Sequence, residues 1–235
     1  MKIKAVLFDL DGTLLPMEQE VFAKTYFGML AQKLAPHGYE PTKLIENIWK
    51  GTGVMVKNDG SRTNEAAFWE YFKQIYGDAV LDDMKYYDEF YQQDFDNVKI
   101  SCGYNENAPK IVNELKKRGF RVALATNPIF PSVATECRMK WAGLCKDDFE
   151  LFTTYENSCY CKPNLKYYES ILDKLGLRAE ECLMVGNDVK EDMVAKELGI
   201  QVFLLTDCLI NKNNEDVSVY PNGGFDDLFE FVKAL

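Results

Sequence analysis

Apolar and polar positions follow two regimes along this chain of 235 residues. Ala5-Val6-Leu7-Phe8 is a continuous apolar run, which predicts a short strand buried on both faces. From residue 17 to 100 apolar positions recur at spacings of three and four, and many are aromatic: Phe22, Tyr26, Phe27, Phe68, Trp69, Phe72, Tyr87, Phe90. That period places apolar side chains on one helix face and predicts a helical bundle with an aromatic core. A polar, glycine-bearing stretch from Lys50-Gly51-Thr52-Gly53 to Arg62 breaks the pattern and predicts a loop, either a connection or a binding loop.

From residue 103 strand and helix patterns alternate. A helix bearing Ile111, Val112 and Leu115 ends at Lys116-Lys117-Arg118-Gly119, where cations and a glycine suit a C-terminus. Strands are predicted at 121–125, 149–152, 182–185 and 201–205. Helices are predicted over 131–141, from Lys162-Pro163 to Gly176, over 190–198 and near 225–234, with the rest of the tail mostly loop. This alternation predicts an α/β fold, a doubly wound parallel sheet with helices on both faces. Residues 1–15 and 101–235 make the core domain, and 16–100 an inserted helical domain.

Composition narrows the function. With 47% hydrophobic and 27% charged residues the chain reads as a soluble globular protein, expected in the cytoplasm. No apolar run reaches the length of a membrane span, and the first residues enter a strand rather than a signal peptide. A formal charge of −10 argues against nucleic acid or an anionic membrane as partner. A small phosphorylated metabolite stays open, because a metal ion and one lysine set the local field. Monomer and small homo-oligomer are both compatible with the sequence. The seven cysteines read as reduced thiols; Cys159-Tyr160-Cys161 lacks the spacing and companions of a zinc site. The one histidine, His37, lies in a Pro-His-Gly stretch and reads as a loop residue.

In a parallel α/β sheet, ligands bind beyond the carboxyl ends of the strands. Asp9 and Asp11 follow the first strand there, Thr126 and Asn127 the second, and Asp188 with Asp192 a later one. Lys162 sits on a loop after the short strand. These groups are expected to converge at one rim. Three carboxylates, Asp9, Asp11 and Asp188, would repel unless a cation joined them, and a hard ion such as Mg²⁺ suits oxygen ligands. Lys162 adds a fixed positive charge and Thr126 a hydroxyl, which together suit a phosphoryl group. Asp9 then fits a nucleophile forming an aspartyl phosphate, and Asp11 the acid and base that serves the leaving oxygen and the attacking water. The plain alternative for Asp11 is a turn residue capping backbone N–H groups. Asp192, one helical turn after Asp188, either anchors Lys162 or a metal-bound water, or is an ordinary helix-start acid.

The ordered set Asp9-Leu-Asp11-Gly-Thr-Leu, Thr126-Asn127, Lys162-Pro163 and Gly186-Asn187-Asp188-Val-Lys-Glu-Asp192 resembles the four motifs of the haloacid dehalogenase superfamily. The resemblance covers the whole chain and implies a Rossmann-like core, a helical cap inserted after the first motif, Mg²⁺ and phosphatase activity. It implies that Asp9 is nucleophile and metal ligand. Asp11 would be acid and base and lend its carbonyl to the metal. Thr126, with Asn127 beside it, would bind phosphate, Lys162 would balance charge, and Asp188 would bind the metal. The fourth motif has Gly-Asn-Asp where Gly-Asp is commoner; Asp188 is preferred as ligand because a carboxylate supplies charge, and a contribution from Asn187 stays open. The alternatives are a phosphosugar mutase and a 2-haloacid dehalogenase, the latter disfavoured by Asp11, which such dehalogenases lack. The loop at 50–62, through Lys57 and Arg62, is expected to select the substrate when the cap closes.

Overall fold

The computed structural model describes residues 2–235. Six parallel strands form one sheet: β1 (Ala5–Phe8), β2 (Arg121–Leu124), β3 (Leu151–Phe152), β4 (Cys182–Gly186), β5 (Gln201–Leu205) and β6 (Asn222–Gly223), in the order β3-β2-β1-β4-β5-β6. β1 pairs with both β2 and β4, in the registers Ala5 to Arg121 and Ala5 to Cys182. The chain builds outward from β1 to β3, then crosses back to place β4 on the other side of β1. The crevice beyond β1 and β4 is therefore the topological switch point.

Side chains of each strand alternate between two cores. Val6, Phe8, Leu183, Val185, Phe203 and Leu205 face one, with Ile111, Val112 and Leu115 of helix α5 (Asn107–Lys117) and Leu228 and Val232 of helix α8 (Phe225–Lys233). Ala5, Leu7, Cys182, Met184, Val202 and Leu204 face the other, with Tyr167, Tyr168, Ile171 and Leu172 of helix α7 (Leu165–Leu175). Burial on both faces explains why these strands are apolar throughout.

Between β1 and β2 lie α1 (Gln19–Leu34), α2 (Pro41–Val56), α3 (Asn64–Tyr76) and α4 (Val80–Glu89), followed by a π turn and a 3₁₀ stretch that returns the chain to the sheet. Their core is aromatic as the spacing predicts: Phe68 stacks on Phe72 at 4.4 Å, and Trp69 meets Tyr87 edge-on at 5.1 Å. The two chains joining insert to core pair at Met17 and Cys102, and Gly103 N–H donates to the Pro16 carbonyl.

Four expectations change. The glycine-bearing stretch is not all loop: α2 runs unbroken to Val56, and only 57–63 connect it to α3. Gly51 is there for packing, because a Cβ would stand 2.7 Å from the Phe68 ring where α2 and α3 cross. The stretch 190–198 is a turn and then a 3₁₀ helix, Met193–Leu198, rather than an α-helix. Val189 N–H bonds to the Ile210 carbonyl and the Asp192 side chain is pulled inward, so the regular ladder does not form. Helix α7 starts at Leu165, capped by Asn164, not at Pro163. The tail contributes a sixth strand, β6, with Thr206 N–H donating to the Gly223 carbonyl.

Candidate active site

The first strand ends at Phe8, and the turn after it aims Asp9 and Asp11 at the crevice. Gly12 sits at φ +87°, with Asn187 so close that a Cβ would stand 2.3 Å from its amide nitrogen. Only glycine supplies both that backbone and that clearance. The turn thereby docks on the end of β4, and Thr13 Oγ lies 3.0 Å from Asn187 Oδ1 and 3.3 Å from Asp9 Oδ2. Asn187 is oriented by its Nδ2, which donates to the Cys208 carbonyl at 2.6 Å.

Lys162 is 1% exposed and donates to Asp9 Oδ1 at 2.8 Å and Asp192 Oδ1 at 2.6 Å. Burial works against its ammonium, but Asp192 and Asp9 outweigh that and hold its pKa well above the ordinary lysine value. Asp192 also accepts from Asp188 N–H through its second oxygen, at 3.0 Å. Asp9, Lys162 and Asp192 thus form one buried charge chain beneath the crevice. Thr126 is buried beside it, its carbonyl accepting from Thr153 Oγ at 2.6 Å and Tyr167 OH at 2.9 Å. Asn127 Nδ2 donates to Glu191 Oε2 at 3.0 Å.

The structure brings Asp9, Asp11, Thr126, Asn127, Asp188 and Asp192 to one cavity, with Lys162 bonded beneath Asp9. It does not gather Asp9, Asp11 and Asp188 into a single carboxylate cluster. Among the described residues no three acidic, cysteine or histidine side chains stand close enough to hold a metal. Asp11 and Asp188 each have partners of their own. Asp11 Oδ2 is ion-paired to Arg138 Nη1, and Asp188 Oδ1 accepts from the N–H groups of Lys190 and Glu191 at 2.8 and 2.9 Å.

Arg138 escaped the sequence reading. It lies on helix α6 (Ser132–Trp141), is fully buried, and stacks on the Phe130 ring at 4.4 Å. An arginine among Ala134, Met139 and Trp141 was the available signal, but nothing local names its partner. Burial raises the Asp11 carboxyl, with Arg138 opposing it, and the net direction is upward. Asp11 Oδ1 is buried without a hydrogen-bond partner, as suits an oxygen waiting for a proton or a cation. Glu191 was also missed, although it sits between two acids of the fourth motif. Burial raises its carboxyl as well.

The family model for the haloacid dehalogenase-like hydrolases matches residues 3–199. The chain is a haloacid dehalogenase-like hydrolase. It is 27% identical over 192 residues to pyrophosphatase PpaX of Bacillus cereus, across 80% of this chain and 76% of that one. The fold is shared with a HAD phosphatase from Thermococcus onnurineus, at TM-score 0.60 and 18% identity over 98% of both chains. It is shared too with the HAD-hydrolase YfnB of Bacillus subtilis, a magnesium-bound structure, at TM-score 0.55 and 14% identity over 99% of both chains.

The hydrolase offers hard oxygen donors where the motifs meet: the Asp9 carboxylate, the Asn187 amide oxygen and the Asp188 carboxylate. No cysteine or histidine lines the cavity among the described residues. One or two carboxylates with water and phosphate are what Mg²⁺ takes, so the donor set fits that ion. All seven cysteines are free thiols, and Cys161 Sγ is occupied by an amide hydrogen bond from Asn64 at 3.2 Å. The connection 57–63 does not line this cavity. Lys57 and Arg62 border a separate surface pocket, and Arg62 is paired with Glu70, whereas Thr52, Met55 and Val56, from the helical part of the 50–62 stretch, do line the cavity. No helix among the described residues is long and apolar enough to cross a membrane.

Proposed function

We propose that this hydrolase cleaves phosphomonoesters with Mg²⁺ through an aspartyl phosphate on Asp9. The observation that carries this is the buried chain Asp9–Lys162–Asp192, which presents Asp9 at the cavity floor beside an acid two residues on. A carboxylate held by a permanently charged lysine in a buried site is pre-oriented for in-line attack and needs no base of its own.

Asp9 attacks phosphorus, and the ester P–O bond breaks as the leaving oxygen takes the proton of the Asp11 carboxyl. Water then attacks phosphorus, Asp11 accepts its proton, the Asp9–phosphorus bond breaks, and phosphate departs. Burial keeps Asp11 able to carry that proton, and Arg138 stabilises the carboxylate left behind. Lys162 balances phosphoryl charge, while Thr126 and Asn127 orient its oxygens. Asp9, Asn187 and Asp188 would hold Mg²⁺, with the Asp11 carbonyl beside them, and the ion would supply charge neutralisation at the phosphoryl oxygens.

The PpaX relative favours a second reading, pyrophosphate hydrolysis on the same machinery. The test of the primary reading is acid-quenched enzyme after mixing with acetyl phosphate and Mg²⁺. A phosphoryl group on the Asp9 peptide, absent in Asp9→Asn and after chelation with EDTA, is expected. Turnover by Asp9→Asn at the wild-type rate would overturn the nucleophile.

A further inference from the structure

Above the acidic floor the cavity has a volume of about 320 Å³ and is walled by the helical insert. Phe22, Tyr26, Phe68, Trp69, Tyr87 and Phe130 are among the rings that line it, on both the insert and the core side. A cavity of roughly 150 Å³ lined by apolar side chains accommodates a benzene ring, so this one has room for a ring system next to a phosphoryl group. What the wall lacks decides its ligand. Among the described residues lining the cavity there is no lysine, arginine or histidine, and the charged ones, Asp9, Asp11, Asp188, Glu191 and Asp192, are all acidic and all at the floor.

A second phosphate, or a carboxylate, would have to leave water for this wall without a cation to receive it. Stripping an anion of its hydration without pairing it costs several kcal/mol. The hydroxyls of Tyr26, Tyr87, Tyr91 and Tyr155 bring no cation: burial raises their pKa values and keeps them neutral, and their only charged form is itself an anion. A sugar would fare little better. Apart from those hydroxyls, the insert offers only Gln19, Thr52 and the indoles of Trp49 and Trp69 as polar groups along the wall, and Thr52 Oγ is spent on the Ile48 carbonyl at 2.9 Å. The Trp69 Nε1, beside the Tyr155 hydroxyl, and the Tyr87 hydroxyl belong to residues lining the cavity and are buried without a partner in hydrogen-bond geometry, few polar atoms for a ligand set against a wall of rings.

We infer that the ester this hydrolase prefers carries a neutral, ring-bearing apolar group, not a sugar, a carboxylate or a second phosphate. This rests on the phosphomonoesterase reading and specifies its leaving group. It also separates the chain from its pyrophosphatase relative, whose named substrate is an anion on both sides of the scissile bond.

The test compares kcat/KM, with Mg²⁺, for 2-phenylethyl phosphate, ethyl phosphate, glycerol 3-phosphate, pyrophosphate and acetyl phosphate. The first three have alkyl leaving groups, so the ring rather than leaving-group reactivity is read. The expected result is a preference for 2-phenylethyl phosphate over ethyl and glycerol phosphates of about ten-fold or more, as burial of one ring supplies. Acetyl phosphate turnover combined with faster cleavage of pyrophosphate or glycerol 3-phosphate would leave the phosphatase reading standing and overturn this one. No turnover of any of the five would end both. Thr52→Arg, checked for folding by thermal unfolding, puts a cation on the wall. It is expected to raise KM for 2-phenylethyl phosphate at least five-fold and to improve kcat/KM for pyrophosphate. A folded variant with unchanged ratios would count against the cavity as the leaving-group site.

Discussion

The guanidinium of Arg138 closes a buried ion pair with the carboxylate of Asp11 across 127 residues of sequence. The arginine side chain is 1% exposed and the aspartate 22%, so the pair sits at the boundary between core and cavity. Its cation opposes the burial that raises Asp11, and deleting it removes the opposing contribution. Arg138→Met is therefore expected to raise the Asp11 pKa further and to move the alkaline limb of the kcat profile to higher pH. It should also cost stability, by about 1–3 kcal/mol, because a buried hydrogen-bonded charge loses its partner. A pH–rate profile on an alkyl phosphate, beside thermal unfolding, checks both. A limb that stays in place would remove Arg138 as the positioning residue for Asp11.

Lys162 neutralises two carboxylates that have little access to water. Lys162→Met should destabilise the fold by about 3–5 kcal/mol, since Asp9 and Asp192 are left buried and unpaired. Adding Asp192→Leu to that variant should recover part of the stability and none of the activity. Chemical denaturation of the single and double variants makes the comparison. Activity in either one would show that Asp9 does not need the lysine.

Asn64 is a latch between insert and core. It is fully buried, its Nδ2 donates to the Pro128 carbonyl at 3.0 Å and to Cys161 Sγ, and its Oδ1 accepts from Asn58 Nδ2 at 2.9 Å. Backbone bonds from Asn64 N–H to the Ser158 carbonyl and from Glu65 N–H to the Tyr155 carbonyl flank it. Asn64→Ala should cost about 1–3 kcal/mol and raise KM more than it lowers kcat, because the cavity wall is loosened while the floor is untouched. Steady-state kinetics with 2-phenylethyl phosphate reads the split. A pure loss of kcat would contradict the latch.

Glu181 ties the start of β4 to the start of β1. Its carboxylate accepts from Lys4 Nζ at 2.6 Å and from Arg178 N–H at 3.0 Å, and these bonds lower its pKa from 4.5 to about 2. A depressed carboxyl means the unfolded chain binds the proton first as pH falls. The stabilisation is complete above pH 4.5 and is lost progressively down to about 2. Glu181→Gln should flatten the acid limb of the stability profile in that window by lowering the unfolding midpoint at and above pH 5 while leaving it nearly unchanged near pH 2. Unfolding midpoints from pH 2 to 6 measure it.

Much of the molecule was readable along the chain because its signals are local. A run of four apolar residues ending in Asp9-Leu-Asp11-Gly12 specifies a strand and the turn after it, whatever packs around them. Three- and four-residue spacing specifies the helices of the insert, and strand–helix alternation implies that Asp9, Thr126, Lys162 and Asp188 share one rim. The helical reading of 190–198 failed because local pattern is outweighed there by long-range bonds, from Val189 to Ile210 and from Asp192 to Lys162. Which oxygens face which cations was decided only by the tertiary structure. Arg138 meets Asp11, and Asn187 meets the Gly12-Thr13 turn, through contacts between segments more than a hundred residues apart, and no periodicity encodes such a pairing. The charge-free wall over the floor is likewise a product of packing. The same aromatic spacing would fill a solid bundle core, and only the docking of insert on sheet leaves a cavity between them.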